Sequence, residues 1–216
     1  MFEKIIADDT LTERDVASWV KQLIVVLGHI HEHKIVYLDL QPENIQLCSS
    51  NHSAYANEVK LIDFGWAIHL DRNKDCVSAH CNPEFSAPEV ARSEPVTTAA
   101  DVWSLGILTY LMLTGESPMW AGSYDESFQR LKKGELNLES PVLKEISQEA
   151  CDFISACLHF DPTKRPSAQH LLEHPFIQFA DRLGKGTHLS VEKLGQYTKR
   201  LLQSVSFSFL VSPTFV

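Results

Sequence analysis

The chain has 216 residues, 44% of them apolar, which is enough to fill the core of one domain or of a large piece of one. A net charge of -9, a pI near 5.5 and the lack of any Lys/Arg block exclude a general affinity for nucleic acid or for an anionic membrane surface. The five cysteines (Cys48, Cys76, Cys81, Cys151 and Cys157) are odd in number and form no CxxC, so they read as free thiols in a reducing, cytoplasmic setting.

Along the chain, "MFEKIIADDT" has no apolar signal core, and no apolar run reaches the roughly 18–20 residues that span a bilayer. Thr12 with Asp15 forms a capping box, and Leu11 and Val16 are placed as a hydrophobic staple. A helix is expected to start there. Val16, Trp19, Val20, Leu23, Leu27 and Ile30 recur at three- and four-residue steps and give it one apolar face. "IVY" and "IQL" then read as short strands around an acidic turn, and "EVKLIDFG" as another strand ending at Asp63 and Gly65. "DVWSLGILTYLML", from Asp101 to Leu113, is apolar all round and predicts a helix buried in the middle of the domain, ended by Gly115. "SQEACDFISACLHF" and "SAQHLLEHPFI" predict two amphipathic helices starting at Ser147 and Ser167, separated by "DPTKRP". The expected class is mainly α with a few short β-strands near the front.

Phosphoryl transfer needs a carboxylate to orient the attacking hydroxyl, oxygen ligands for Mg²⁺ on the nucleotide phosphates, and positive charge where negative charge develops. In "IVYLDLQPENIQL", Asp39 and Asn44 stand at the Asp-x-x-x-x-Asn spacing of a kinase catalytic loop, and Asp63 opens a "DFG" turn after a strand. A lone "DFG" is common by chance. Five signals in one order are not: "YLDLQPEN", "DFG", "NPEFSAPE" (Asn82 to Glu89), "DVWSLG" and "DPTKRPS".

With these motifs the chain resembles the large C-terminal lobe of a eukaryotic protein kinase over about residues 1–180, with 181–216 as an extension. Within the calcium/calmodulin-dependent group it is similar to the myosin light-chain kinase, titin, obscurin and Trio-like branch, as "NPEFSAPEV" and "LTYLMLTGESP" suggest. The resemblance implies a serine/threonine kinase that transfers the γ-phosphate of ATP to a protein substrate in signalling or at the cytoskeleton. It implies Asp39 as the catalytic aspartate, Asn44 and Asp63 as Mg²⁺ ligands, and Gly65 as the flexible end of the metal turn, with Phe64 packed behind it. It further implies a structural ion pair of Glu89 with Arg165, Asp101 as a cap on the catalytic-loop backbone, and Pro83 to Glu89 as a platform for the substrate peptide. "HIHEHK" places His29 and His33 at a metal-compatible spacing, but with no third ligand in view it reads as the structural approach to this loop.

The departures from the family pattern bear on activity. Gln41 stands at the usual lysine and brings no charge, so loss of one preorganised charged donor is expected to lower the rate by about 10²–10³. Leu38 replaces an arginine that reads an activation-segment phosphate, which points to control by a tail. Tyr37 and Asn82 replace a histidine and a threonine, and carry little weight alone. No glycine-rich G-x-G-x-x-G loop or V-A-I-K strand precedes the catalytic loop, and "GKG" at Gly184 to Gly186 is near the wrong end. The small lobe is therefore expected to be absent, and the isolated chain to be inactive. The alternative class is a pseudokinase scaffold or docking module.

Near the C-terminus, Val191, Leu194 and Tyr197 (or Leu201) mark one face of a helix capped by Ser190, with Lys193, Lys199 and Arg200 on other faces. In the resembled branch such a segment folds back as an autoinhibitor or binds calmodulin; the thin basic content here favours a plain packing helix. "SFSFLV" has the high β-propensity and low charge of an aggregation-prone piece, and Thr214 to Val216 have the shape of a peptide for a PDZ edge, a minor reading.

Overall fold

A computed structural model describes residues 11–48, 58–72, 82–138, 141–178 and 192–200. Cys76, Cys81, Gly184 to Gly186, Ser190, Val191, Leu201, "SFSFLV" and Thr214 to Val216 lie outside the described residues. Helix α1 (Glu13–Glu32) begins at the expected box: the Asp15 N–H donates to the Thr12 hydroxyl (3.3 Å) while the Thr12 N–H donates to the Asp15 carboxylate (3.0 Å). Its apolar face is buried at Val16, Trp19, Val20, Leu23, Leu27 and Ile30, and the flanking Leu11 is buried too.

The strands are short and pair in two antiparallel ribbons. β1 (Ile35–Val36) joins β4 (Ile68–His69), with Ile35 opposite His69. β2 (Ile45–Leu47) joins β3 (Val59–Leu61), with Ile45 opposite Leu61. A 3-10 turn at Pro42–Asn44 leads into β2. The ribbons bracket the acidic loop, and the Ile62 N–H donating to the Asn44 carbonyl (2.9 Å) draws the start of the "DFG" turn beside that loop.

After the four-residue α2 (Pro88–Ala91) comes the central α3 (Ala99–Thr114), buried at every residue from Ala100 to Thr114 and closed by Gly115 in the left-handed region (φ 73°). A helix with no solvent face has to satisfy its own polar side chains. Ser104, Thr109 and Thr114 do so by donating back to the carbonyls of Ala100, Leu105 and Tyr110. α1 packs against α3 and α6 (Ala168–Leu172), and α3 against α5 (Gln148–Cys157), while α4 (Tyr124–Lys133) packs near α2. At the α3–α5 crossing Gly106 is required, since a Cβ there would lie 2.6 Å from that of Cys157.

Ser147 and Ser167 cap α5 and α6 as their positions imply. "SAQHLLEHPFI" is not one helix, however. It breaks after Leu172 and restarts as α7 (Pro175–Gln178), because the proline disfavours helical geometry in the residue before it and suits the first turn of a new helix. A last helix, α8, spans 192–200 and buries Leu194 and Tyr197. Among the described residues no helix is long and apolar enough to cross a membrane.

Candidate active site

The acidic loop is held from beneath by α3. Asp101, fully buried in the first turn of α3, accepts from the Tyr37 N–H (2.9 Å) and the Leu38 N–H (2.8 Å), and lies 2.8 Å from His31 Nε2. Leu38 is in the left-handed region (φ 66°), which costs a branched side chain energy. Two backbone bonds to one carboxylate hold that conformation and present the next residue, Asp39, at the loop tip. His31 sits between the two histidines that the sequence singles out. His33 instead donates through Nδ1 to the His29 carbonyl (2.9 Å), and its ring lies 4.8 Å from that of His29.

Asp39 and Asn44 are both buried to 9% exposure. The Asn44 amide donates to the Asp39 carbonyl (2.9 Å) and to Asp39 Oδ2 (2.5 Å), which closes the loop upon itself. Asp39 Oδ1 accepts from the Gln41 amide (2.8 Å). Gln41 thus faces the carboxylate, and its own oxygen accepts from the Asn82 amide (2.8 Å). Nothing in the sequence of either residue announces that contact, which spans 41 positions.

Asp63 is exposed and also left-handed (φ 60°), with Oδ1 accepting from the Gly65 N–H (2.9 Å). A Cβ at Gly65 would lie 3.0 Å from that oxygen, so the turn fits glycine closely. Phe64 meets the Tyr37 ring edge-on at 5.1 Å yet remains 47% exposed, alongside Trp66 at 45%. The Tyr37 hydroxyl donates to the Ile62 carbonyl. Burial, and then the charges of Asp39, Asp63 and Asp101, push the Tyr37 phenol above its ordinary value, so it remains a donor.

The donor set suits a hard cation. With its nitrogen turned to Asp39, Asn44 offers Oδ1, and Asp63 offers a carboxylate whose Oδ1 is fixed by the Gly65 N–H. Two oxygen ligands are what Mg²⁺ takes from protein when phosphates and water complete its octahedron. No group of three or more His, Cys, Asp or Glu gathers among the described residues.

Below the loop, Glu89 and Arg165 form a buried two-pronged pair at 2.7 and 2.8 Å. On the other side, α8 docks through charge as well as through Leu194 and Tyr197. Lys193 Nζ lies 2.6 Å from Glu116. Arg200 donates to both oxygens of Glu84 (2.8 and 2.7 Å) and stacks over the Trp120 and Tyr197 rings at 3.9 and 4.8 Å. Lys193 and Arg200, expected on faces other than the apolar one, thus find acidic partners on the lobe. Both side chains are long enough to reach around the helix to acidic partners, and Arg200 lies one turn after Tyr197.

The comparisons with known proteins agree with this architecture. A titin homolog of Caenorhabditis elegans is 38% identical over 178 residues, covering 82% of this chain and 1% of that protein. Smooth-muscle myosin light chain kinase of Gallus gallus is 33% identical over 201 residues, 93% of this chain and 10% of that protein. A solved twitchin kinase fragment of C. elegans, described as an autoregulated protein kinase with immunoglobulin domains, superposes with a TM-score of 0.83 at 32% identity, covering 98% of this chain and 46% of that one. The chain thus spans less than half of each of these three proteins. With helices and a few strands in the order described, and with the family model for the protein kinase domain matching residues 1–177, the chain belongs to the protein kinase family.

Proposed function

We propose that the chain supplies the large lobe of a serine/threonine protein kinase, with residues 1–180 as the lobe and 181–216 as a regulatory extension. The observation that carries the reading is the buried Asp39 and Asn44, hydrogen-bonded to each other on one loop, with the turn that carries Asp63 drawn beside that loop by the Ile62 N–H on the Asn44 carbonyl. Bound ATP with Mg²⁺ supplies the transferable phosphoryl group and neutralises its charge. Asp39 orients the substrate hydroxyl and takes its proton, with each carboxylate oxygen held by an amide, Gln41 on Oδ1 and Asn44 on Oδ2. Asn44 Oδ1 and Asp63 hold the cation, Gly65 pins Asp63, and Pro83 to Glu89 form the ledge for a protein substrate.

In this reading the glycine-rich loop and strand lysine come from residues outside this chain, since neither motif occurs in its sequence. The exposed Ile62, Phe64 and Trp66 fit a surface that a small lobe covers. The chain alone then neither binds ATP tightly nor transfers phosphate. The α8 contact with Glu84 supports an autoinhibitory tail rather than a calmodulin target: Arg200 already occupies an acidic group on the substrate ledge. The relatives' names support a cytoskeleton-associated role, the odd set of cysteines a cytoplasmic one, and the acidic balance speaks against nucleic acid or an anionic membrane as partner.

A pseudokinase scaffold is the second reading, favoured by the uncharged Gln41. The test is Mg²⁺-dependent transfer from labelled ATP to a generic basic peptide and to the protein itself. The chain joined to its native upstream sequence is compared with the 216-residue chain, each with an Asp63→Ala control. Transfer by the longer protein alone, silenced by Asp63→Ala, is the expected result. No transfer by the longer protein, or transfer that survives Asp63→Ala, overturns the kinase reading.

A further inference from the structure

The side chains around Asp39 form a directional chain. The Glu84 N–H donates to Asn82 Oδ1 (3.0 Å), the Asn82 amide donates to Gln41 Oε1 (2.8 Å), and the Gln41 amide donates to Asp39 Oδ1 (2.8 Å). Its two ends decide its polarity. A backbone N–H can only donate and a carboxylate can only accept, so both amides have one orientation that satisfies every link. Each link also polarises the next in the same sense.

From this geometry we propose that Gln41 and Asn82 are a matched pair that positions Asp39, so that lysine cannot replace Gln41 unless position 82 changes with it. An ammonium has donors and no acceptor. At position 41 it would meet the NH₂ of Asn82. If Asn82 turned its oxygen to the ammonium instead, its NH₂ would face the Glu84 N–H. Either way one donor faces another. A threonine at 82 removes the conflict, because its hydroxyl has two lone pairs and accepts from both neighbours. Lysine at 41 therefore requires a hydroxyl rather than an amide at 82, whereas glutamine at 41 is satisfied by the amide of Asn82. Gln41 and Asn82 are positioning residues, acting through Asp39. The geometry stands independently of the reaction, while its catalytic consequence rests on the kinase reading above.

The experiment has two arms. In the 216-residue chain, side-chain amide resonances of Gln41 and Asn82 are followed by ¹⁵N NMR. Asn82→Ala is expected to shift the Gln41 NH₂ signals and speed their solvent exchange at least tenfold. Gln41→Ala, with the near-isosteric Gln41→Met as the better-packed second variant, is expected to do the same to Asn82. In the protein joined to its upstream sequence, Gln41→Lys alone is expected to leave kcat at or below the starting level. Gln41→Lys with Asn82→Thr is expected to exceed it at least tenfold, with the KM for ATP changed less than twofold. Amide signals that respond independently, or a Gln41→Lys variant as active as the double one, overturn the pair. Reciprocal amide shifts with no transfer by any variant support the pair and overturn the kinase reading instead.

Discussion

Arg165 places all five of its N–H donors. Two go to the Glu89 carboxylate, and the other three go to the carbonyls of His159 (2.8 Å), Ala99 (2.9 Å) and Phe160 (3.2 Å). The guanidinium also lies over the Trp103 ring at 5.0 Å. Both partners are buried, at 6% and 1% exposure, so each charge depends on the other. Breaking such a pair from one side leaves an uncompensated buried charge, at a cost of about 3–5 kcal/mol. Glu89→Gln is expected to lower the unfolding free energy measured in urea by that order, and Arg165→Lys to lower it by less, because lysine keeps the charge but cannot reproduce the planar fork. The joint Arg165→Met, Glu89→Leu variant is expected to lose less than either single one.

Asp101 serves the catalytic loop in the same indirect way. Its two oxygens receive two backbone N–H groups, and one of them also meets His31. Asp101→Asn keeps one acceptor oxygen and turns an NH₂ toward a former donor. The expected cost is about 1–3 kcal/mol for a buried donor left unpaired. Hydrogen exchange is expected to rise at Tyr37 and Leu38 before it rises in the middle of α3. Uniform acceleration along α3 would show that Asp101 holds the helix rather than the loop.

The docking of α8 depends on space as well as charge. A Cβ at Gly115 would lie 2.6 Å from that of Lys193, so the glycine that ends α3 also admits α8. Arg200→Ala removes the link to Glu84 and the stacking on Trp120. Protease cleavage near 192–200 is expected to speed at least fivefold while the urea midpoint of the lobe is unchanged. In the protein with its upstream sequence, the same variant is expected to raise peptide phosphorylation. Unaltered cleavage would show that Leu194 and Tyr197 alone hold the helix.

His174 gives the fold a pH-dependent component. Burial holds its pKa below the ordinary value, with Asp152 pulling weakly the other way. Its Nδ1 accepts from the Phe176 N–H (3.2 Å), and the ring meets Phe153 edge-on at 5.3 Å. The unfolded chain titrates this group near pH 6.5 and so binds the proton first. Its contribution is therefore complete above about pH 6.5 and is lost as pH falls through the lower folded-state value. The urea midpoint is expected to drop between pH 7 and 5, and His174→Gln to make that drop shallower. An identical slope in both proteins would remove His174 as the cause.

What the sequence alone determined is what neighbouring residues decide. The Thr12–Asp15 box, the serine caps, the all-apolar α3, the strands on either side of Asp39 and the spacing of Asp39, Asn44 and Asp63 are short-range patterns, each set by hydrogen-bond offsets or by the period of one element. The break before Pro175 was also local, and the proline signal outweighed the apolar periodicity on which a single helix rested. Tertiary structure decided the rest, because the partners are far apart in the chain. His31 meets Asp101 across 70 positions, Asn82 meets Gln41 across 41, and Arg200 meets Glu84 across 116. A polar side chain carries no sequence signal for which distant partner will satisfy it. Packing around α3 brings those partners within reach, and the desolvation it imposes makes leaving them unpaired costly.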